Sequence, residues 1–166
     1  MTEKLILEMI RVNGADTRRI AHALKVYGIA QCIAALEGVP KETQRIVEAA
    51  AVLHDIAIRL CEQKYGSCAG PLQEKEGPGV ARPLLERYTQ DAAFTDRVCW
   101  LIGHHHSLNE VDGMDHRILI EADFIVNAQE GDFGFTAFEN AYDKIFHTVT
   151  GKEIADRTVR AAAKKT

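Results

Sequence analysis

The stretch Val47-Glu48-Ala49-Ala50-Ala51-Val52-Leu53-His54-Asp55-Ile56-Ala57 sets an imidazole and a carboxylate side by side inside an apolar run. Burying an aspartate among aliphatic side chains is costly unless something neutralises it. A divalent cation would do so, and both residue types are metal ligands. Val47, Ala50, Ala51, His54 and Ile58 recur at helical spacing, so the helix that opens at Pro40 turns His54 inward with its apolar neighbours. Asp55 stands ~100° further round. The two can share an ion only if it lies between their directions. The alanines at 49, 50 and 51 are small enough to let another helix approach closely, and the periodicity predicts a helix running on to about Leu60.

Upstream, Asp16 is placed to cap a long helix over about 17–37, closed by Gly38. On it, His22, Val26, Ile29, Ile33 and Leu36 share a face, so His22 also points inward. Downstream, a helix over about 116–129 carries Leu119, Ile120, Asp123 and Val126 on one face. Asp123 is therefore directed inward, while Glu121 points elsewhere and reads as solvated. Each residue alone has a plainer reading: a core histidine with its hydrogen bonds made, or an aspartate paired with an arginine. Together, four inward ligand-type side chains come from three separate helices.

The remaining pattern is also helical, and no alternating strand stands out. Residues 2–12 form an amphipathic stretch, 62–75 read as a loop, and helices are expected at about 78–89 and 91–105. The segment 107–115 is polar and turn-rich. Gly131 and Gly134 break the chain before C-terminal helices over 136–163. The expectation is one all-α domain, a single-domain bundle of six to eight helices spanning 1–166, with the motifs in a core of about 16–130.

Composition excludes several classes. The chain is 46% hydrophobic, with 20 Lys and Arg against 24 Asp and Glu. That balance argues against nucleic acid as the main partner. No apolar run nears the ~20 residues that span a bilayer, and the first residues lack a signal-peptide pattern, so a cytoplasmic location is expected. Cys32, Cys61, Cys68 and Cys99 form no CxxC pair and read as reduced thiols. There is no G-x-S-x-G elbow and no phosphate-binding G-x-x-x-x-G-K-[ST] loop. Whether the chain pairs as a homodimer is left open.

A triple histidine, His104-His105-His106, follows Leu101-Ile102-Gly103. Val98, Leu101, Ile102 and His105 share a face, so His105 is the inward member, suited to proton transfer, phosphate binding or a second metal. His104 and His106 flank it, with His104 a phosphate-binding candidate and His106 expected to point away. A polar, solvated helix end is the plainer reading of all three. Arg18 and Arg19, at the start of the His22 helix, could hold phosphate bidentately.

These parts, in order, resemble the H…HD…D pattern of the HD-domain superfamily of metal-dependent phosphohydrolases. The resemblance runs over roughly residues 16–130 and rests on Arg18-Arg19-Ile20-Ala21-His22, Leu53-His54-Asp55-Ile56, the Leu101–His106 segment and Ile118-Leu119-Ile120-Glu121-Ala122-Asp123. It implies an all-α fold with a metal held between helices by His22, His54, Asp55 and Asp123. It further implies hydrolysis of a phosphate ester; a metal held there would activate water for attack on a nucleotide or other small phosphate ester, with Asp55 and, from its apolar face, His105 as the catalytic candidates. The donor set of two histidines and two carboxylates suits Fe, Mn, Co, Ni or Zn. Two-metal members place two further histidines before the last aspartate. Residues 56–103 here contain none, and Glu74 or Glu76 would be the nearest substitute, so one ion is the preferred expectation. The competing class is a metal-stabilised module that senses a nucleotide without turning it over.

Overall fold

The computed structural model describes residues 1–109 and 111–163. Glu110 and the last three residues lie outside that description. Eight helices of eight residues or more make up most of the chain. They are α1 (Thr2–Asn13), α2 (Thr17–Leu36), α3 (Lys41–Leu53), α4 (Ile58–Tyr65), α5 (Gly70–Glu86), α6 (Ala92–Ile102), α7 (Gly113–Glu130) and α8 (Phe135–Ile145). A last helical segment follows, in which α9 (Val149–Ala155) runs through a π-helical turn (Asp156–Arg160) into α10 (Ala161–Ala163). The described residues contain no strand, and no helix is long and apolar enough to cross a membrane.

The central layer is α2, α3 and α7, with α1 and α6 packed on α3. Ala49, Ala50 and Ala51 are fully buried, and their small side chains let the neighbouring helices come close to α3. The Asp16 carboxylate caps α2 by accepting from the Arg19 backbone N–H at 3.1 Å. Two cores lie against α7. The larger includes Val26, Ile33, Leu53, Ile102, Leu119 and Val126. The smaller is built from Ile120, Ile125, Phe138, Tyr142, Ile145 and Phe146, and so ties the C-terminal helices to the bundle.

Among the expected boundaries that differ from the structure, two lie in the middle of the chain, and the first of these matters for function. The helix from Pro40 does not continue to Leu60. It stops at Leu53, and tight turns (Ile56 N–H to Leu53 O, 3.0 Å; Ile58 N–H to Asp55 O, 3.1 Å) carry the chain into α4. His54 and Asp55 sit at that break. The second concerns 62–75, read as a loop on the strength of its glycines and proline. Instead α4 reaches Tyr65, and α5 begins at Gly70 and absorbs Pro78 and Pro83. Packing overrides propensity there. Gly77 lies so close to α6 that a Cβ would sit 2.6 Å from Ile102 Cγ2.

Candidate metal centre

His22 from α2, His54 and Asp55 from the break after α3, and Asp123 from α7 converge on one point. His22 Nε2 lies 3.3 Å from His54 Nε2, 3.1 Å from Asp123 Oδ1 and 3.6 Å from Asp55 Oδ2. His54 Nε2 lies 3.4 Å from Asp55 Oδ2 and 3.5 Å from Asp123 Oδ1. Metal–ligand bonds of ~2.0–2.2 Å, octahedral or tetrahedral, would set neighbouring ligand atoms ~2.8–3.6 Å apart. All five separations fall in that range.

The other edge of each ring shows which nitrogen is available. His54 Nδ1–H donates to Ala51 O at 2.8 Å, and His105 Nδ1–H donates to Ile102 O at 2.8 Å. His22 Nδ1–H donates to Glu130 Oε2 at 3.0 Å, and that carboxylate also accepts from Lys25 Nζ at 2.7 Å. Each ring thus presents a lone pair at Nε2 to the cluster, the tautomer a metal ligand needs. The Nε2 atom of His105 is buried and makes no hydrogen bond; its nearest carboxylate oxygen, Asp55 Oδ1, is 3.6 Å away. A buried imidazole nitrogen with no partner, beside carboxylates and two further imidazole nitrogens crowded against them, fits a cation.

The charges agree. Burial alone would lower the basicity of His22 and His54, yet Asp55 and Asp123 outweigh it, raising His22 and raising His54 well above an ordinary imidazole. Burial would likewise raise both aspartates. His54 and His105 nevertheless hold Asp55 far below the carboxylate range, and hydrogen bonds from His22 and His54 hold Asp123 low. With protons in place of an ion, this cluster is a tight box of alternating charge.

His105 is buried as expected, although it stands in the turns past the end of α6 rather than on the helix. Its neighbours exchange their expected roles. His106, expected to point away, joins Asp55 and His105 in a second group whose ligand atoms lie within 4.8 Å of one another. Beyond Ile102 the chain leaves the helix through turns, so helical angles no longer apply. His104 instead turns from the cluster and stacks on Trp100, ring centroids 4.1 Å apart and planes within 12°. Glu74 and Glu76 belong to neither ligand group. Glu74 accepts from the His106 backbone N–H at 3.0 Å and the Ser107 hydroxyl at 2.9 Å, while Glu76 pairs with Lys64 at 3.0 Å.

One cleft reaches the cluster and a second lies beside it, behind His106. One, of about 340 Å³, is lined by His22, Asp55, Arg18, Arg19, Asn127 and Glu130 among others. Arg18 there pairs with Asp132 at 2.9 Å, and Arg19 pairs with Asp16 and Glu62. Both arginines therefore stand at the mouth with some N–H groups still uncommitted. The other, of about 810 Å³, lies past His106 and is lined by Trp100, His104, Glu74 and Ser107.

Sequence reasoning missed three residues. Glu130 orients His22, and its position seven residues after Asp123 on the same helix face was a usable signal. Glu121, read as solvated, is fully buried: its carboxylate accepts from the His147 and Thr148 backbone N–H groups at 2.8 and 3.0 Å and from the Thr148 hydroxyl. Its donors come from a turn 26 residues on, which helical periodicity cannot see. His116 is fully buried and spends both ring nitrogens on backbone, Nε2–H donating to His104 O at 2.8 Å and Nδ1 accepting from Asp112 N–H at 3.2 Å.

Comparison with known proteins agrees with the geometry. Residues 19–128 match the HD domain family. The chain belongs to that family, a metal-dependent hydrolase family. No curated protein matches. Among solved structures, the chain is similar to a predicted HD superfamily hydrolase from an uncultured Thermotogales bacterium. That structure has a TM-score of 0.69 and 24% identity, over 96% of this chain and 86% of that one. At that identity the likeness supports the shared fold.

Proposed function

We propose that this protein is a metal-dependent phosphohydrolase acting on a nucleotide or other small phosphate ester. The observation that carries the reading is the convergence of three imidazole Nε2 atoms, each fixed by its Nδ1–H, on Asp55 and Asp123. His22, His54, Asp55 and Asp123 would hold one divalent ion. When bound, the ion supplies a Lewis acid for the phosphoryl oxygen and lowers the pKa of a coordinated water. Everything else falls to the chain. Asp55 has two differently placed oxygens, Oδ2 toward His22 and His54 and Oδ1 toward His105. Oδ1 can therefore accept a proton or orient a nucleophile without leaving the ligand set. His105, its Nδ1–H fixed on Ile102 O, can take a proton at Nε2 from the attacking water and return it to the leaving oxygen. Arg18 and Arg19 at the rim of the smaller cleft supply N–H groups for phosphate oxygens. This reading gives Asp55 Oδ1, His105 and His106 to protons and phosphate rather than to a second ion.

The test is metal analysis of purified protein, then turnover of a panel of nucleoside phosphates and sugar phosphates with Mn, Fe, Co, Ni or Zn added. One ion per chain and metal-dependent phosphate release are expected. Less than ~0.2 ion per chain with no gain on addition would sink it. A bound ion with tight nucleotide binding but no turnover would instead make the protein a nucleotide sensor.

A further inference from the structure

The larger cleft is walled by a stack built in three layers. The Arg97 guanidinium lies over the Trp100 ring at 4.6 Å, and on Trp100 lies the His104 ring, nearly parallel at 4.1 Å. Arg97 cannot drift: it is held bidentately by Asp115 at 2.7 and 2.8 Å and by Asp112 at 2.7 Å. The edge of the stack is fixed too. His116 meets Trp100 edge-on at 5.0 Å and donates to His104 O, and His104 Nδ1–H donates to Trp100 O at 2.7 Å. This leaves His104 Nε2 without a partner among the described residues, on a ring that lines the cleft. Six side chains thus immobilise an aromatic surface that the metal ligands do not need.

Position gives that surface a use. His106 both lines this cleft and joins the Asp55–His105 group, so a single side chain stands between the cleft and the centre. At about 810 Å³ it falls within the range of small-ligand sites and has room for a nucleoside. Glu74 stands on its wall with Oε1 engaged by His106 N–H and Ser107, which leaves Oε2 as an acceptor for the N–H edge of a base. The aromatic ring that lines the smaller cleft is His22, whose Nε2 is turned to the ligand cluster, and its arginines suit phosphate rather than a base.

We infer that the Trp100–His104 stack is the nucleobase platform of the site, and that the substrates are nucleoside phosphates whose base lies in the cleft past His106. This rests on the phosphohydrolase reading for the reaction but not for binding. Planar bases of any identity gain from stacking, whereas a bare sugar phosphate does not.

Trp100 is the chain's single tryptophan, so its fluorescence reports the site directly. Metal-loaded and metal-free protein would be titrated with AMP, GMP, CMP and UMP, and with ribose 5-phosphate as the baseless control. Saturable quenching by nucleotides, absent with ribose 5-phosphate, is expected. Removing one stacking ring in His104→Ala should weaken nucleotide binding on the order of 10-fold. In turnover, Trp100→Leu should lose at least ~10-fold more kcat/KM on nucleotides than on ribose 5-phosphate. No saturable quenching by any nucleotide, or equal quenching by ribose 5-phosphate, overturns the platform even if phosphate esters are hydrolysed. Quenching without hydrolysis of any ester leaves the platform standing and overturns the hydrolytic reading alone.

Discussion

Helix α7 buries two carboxylates two residues apart, and they serve opposite ends. Glu121 is fully enclosed, and its oxygens accept two backbone N–H groups and a hydroxyl from the turn that opens α9. Even Gly151 fits this arrangement, since a Cβ there would collide with Glu121 Oε2. Asp123 is also buried, but its partners are the Nε2 atoms of His22 and His54, themselves ligand-type groups, and beyond them lies the unpartnered Nε2 of His105. The first carboxylate has all its partners supplied by protein. The second stands in a set that protein alone leaves incomplete. Burial by itself does not separate the two; a missing partner inside a cluster of ligand-type groups does.

The largest effect should come from breaking the incomplete set. Asp55→Ala removes the carboxylate that touches both ligand groups. It should reduce bound metal to near zero and activity by on the order of 10³-fold or more, with the circular dichroism spectrum unchanged. Unaltered turnover in that variant would refute the mechanism. Glu121→Ala should do the reverse. It leaves the His147 and Thr148 donors buried without a partner, at about 2–4 kcal/mol of stability. Metal content and kcat of the folded fraction should stay as in the wild type. Urea unfolding of the two variants side by side distinguishes them; loss of metal in Glu121→Ala would erase the contrast.

Much of this contrast was legible before the fold. Helical spacing placed His22 and Asp123 inward because each lies in a regular segment whose apolar neighbours reveal its face, and it placed His54 and His105 inward although both stand in the turns just past α3 and α6. It failed wherever a side chain's fate depends on a segment far along the chain. Glu121 has the same periodic signature as a solvated residue, and only the α8–α9 turn makes it a buried acceptor. His104 and His106 fall just past the end of α6, where turns replace the 3.6-residue period and exchange their directions. The break after Leu53 was invisible for a related reason: the alanine run favours helix, and what stops it is the packing of the surrounding helices.

A smaller effect should follow from His105→Ala. Its Nε2 lies by Asp55 Oδ1 and outside the His22–His54–Asp123 group. One ion per chain should remain while kcat falls on the order of 10²-fold. His106→Ala should fall between His105→Ala and wild type, because its ring shares that group. Two ions per chain in the wild type, dropping to one in His105→Ala, would turn His105 from a proton donor into a second-metal ligand. Smaller again is Glu130→Gln, which weakens the acceptor holding His22 Nδ1–H. Metal affinity should drop about 10- to 100-fold, as for other groups behind a metal ligand, with kcat at saturating metal little changed.

The subtlest test uses pH, and its sign can be worked out from the cluster. In metal-free protein His22 and His54 are more basic than in the unfolded chain, so their contribution to stability is fully present below an ordinary imidazole pKa of about 6.5. It is lost as pH rises through their raised folded values. Asp55 and Asp123 are more acidic than in the unfolded chain, so their contribution is present above about 4 and fades as pH falls toward their depressed values. Metal-free protein should therefore melt highest between about pH 4 and 6.5 and lose stability toward pH 8.5. Metal needs the imidazoles bare, so its stabilising effect should run the other way and grow over that same interval, with protons released on binding. Glu121 bonds to His147 and Thr148 and to none of these four groups, so Glu121→Ala should lower the melting curves with and without metal alike. Parallel pH slopes with and without metal would show that the ion does not displace protons from His22 and His54, and would remove these histidines from the ligand set.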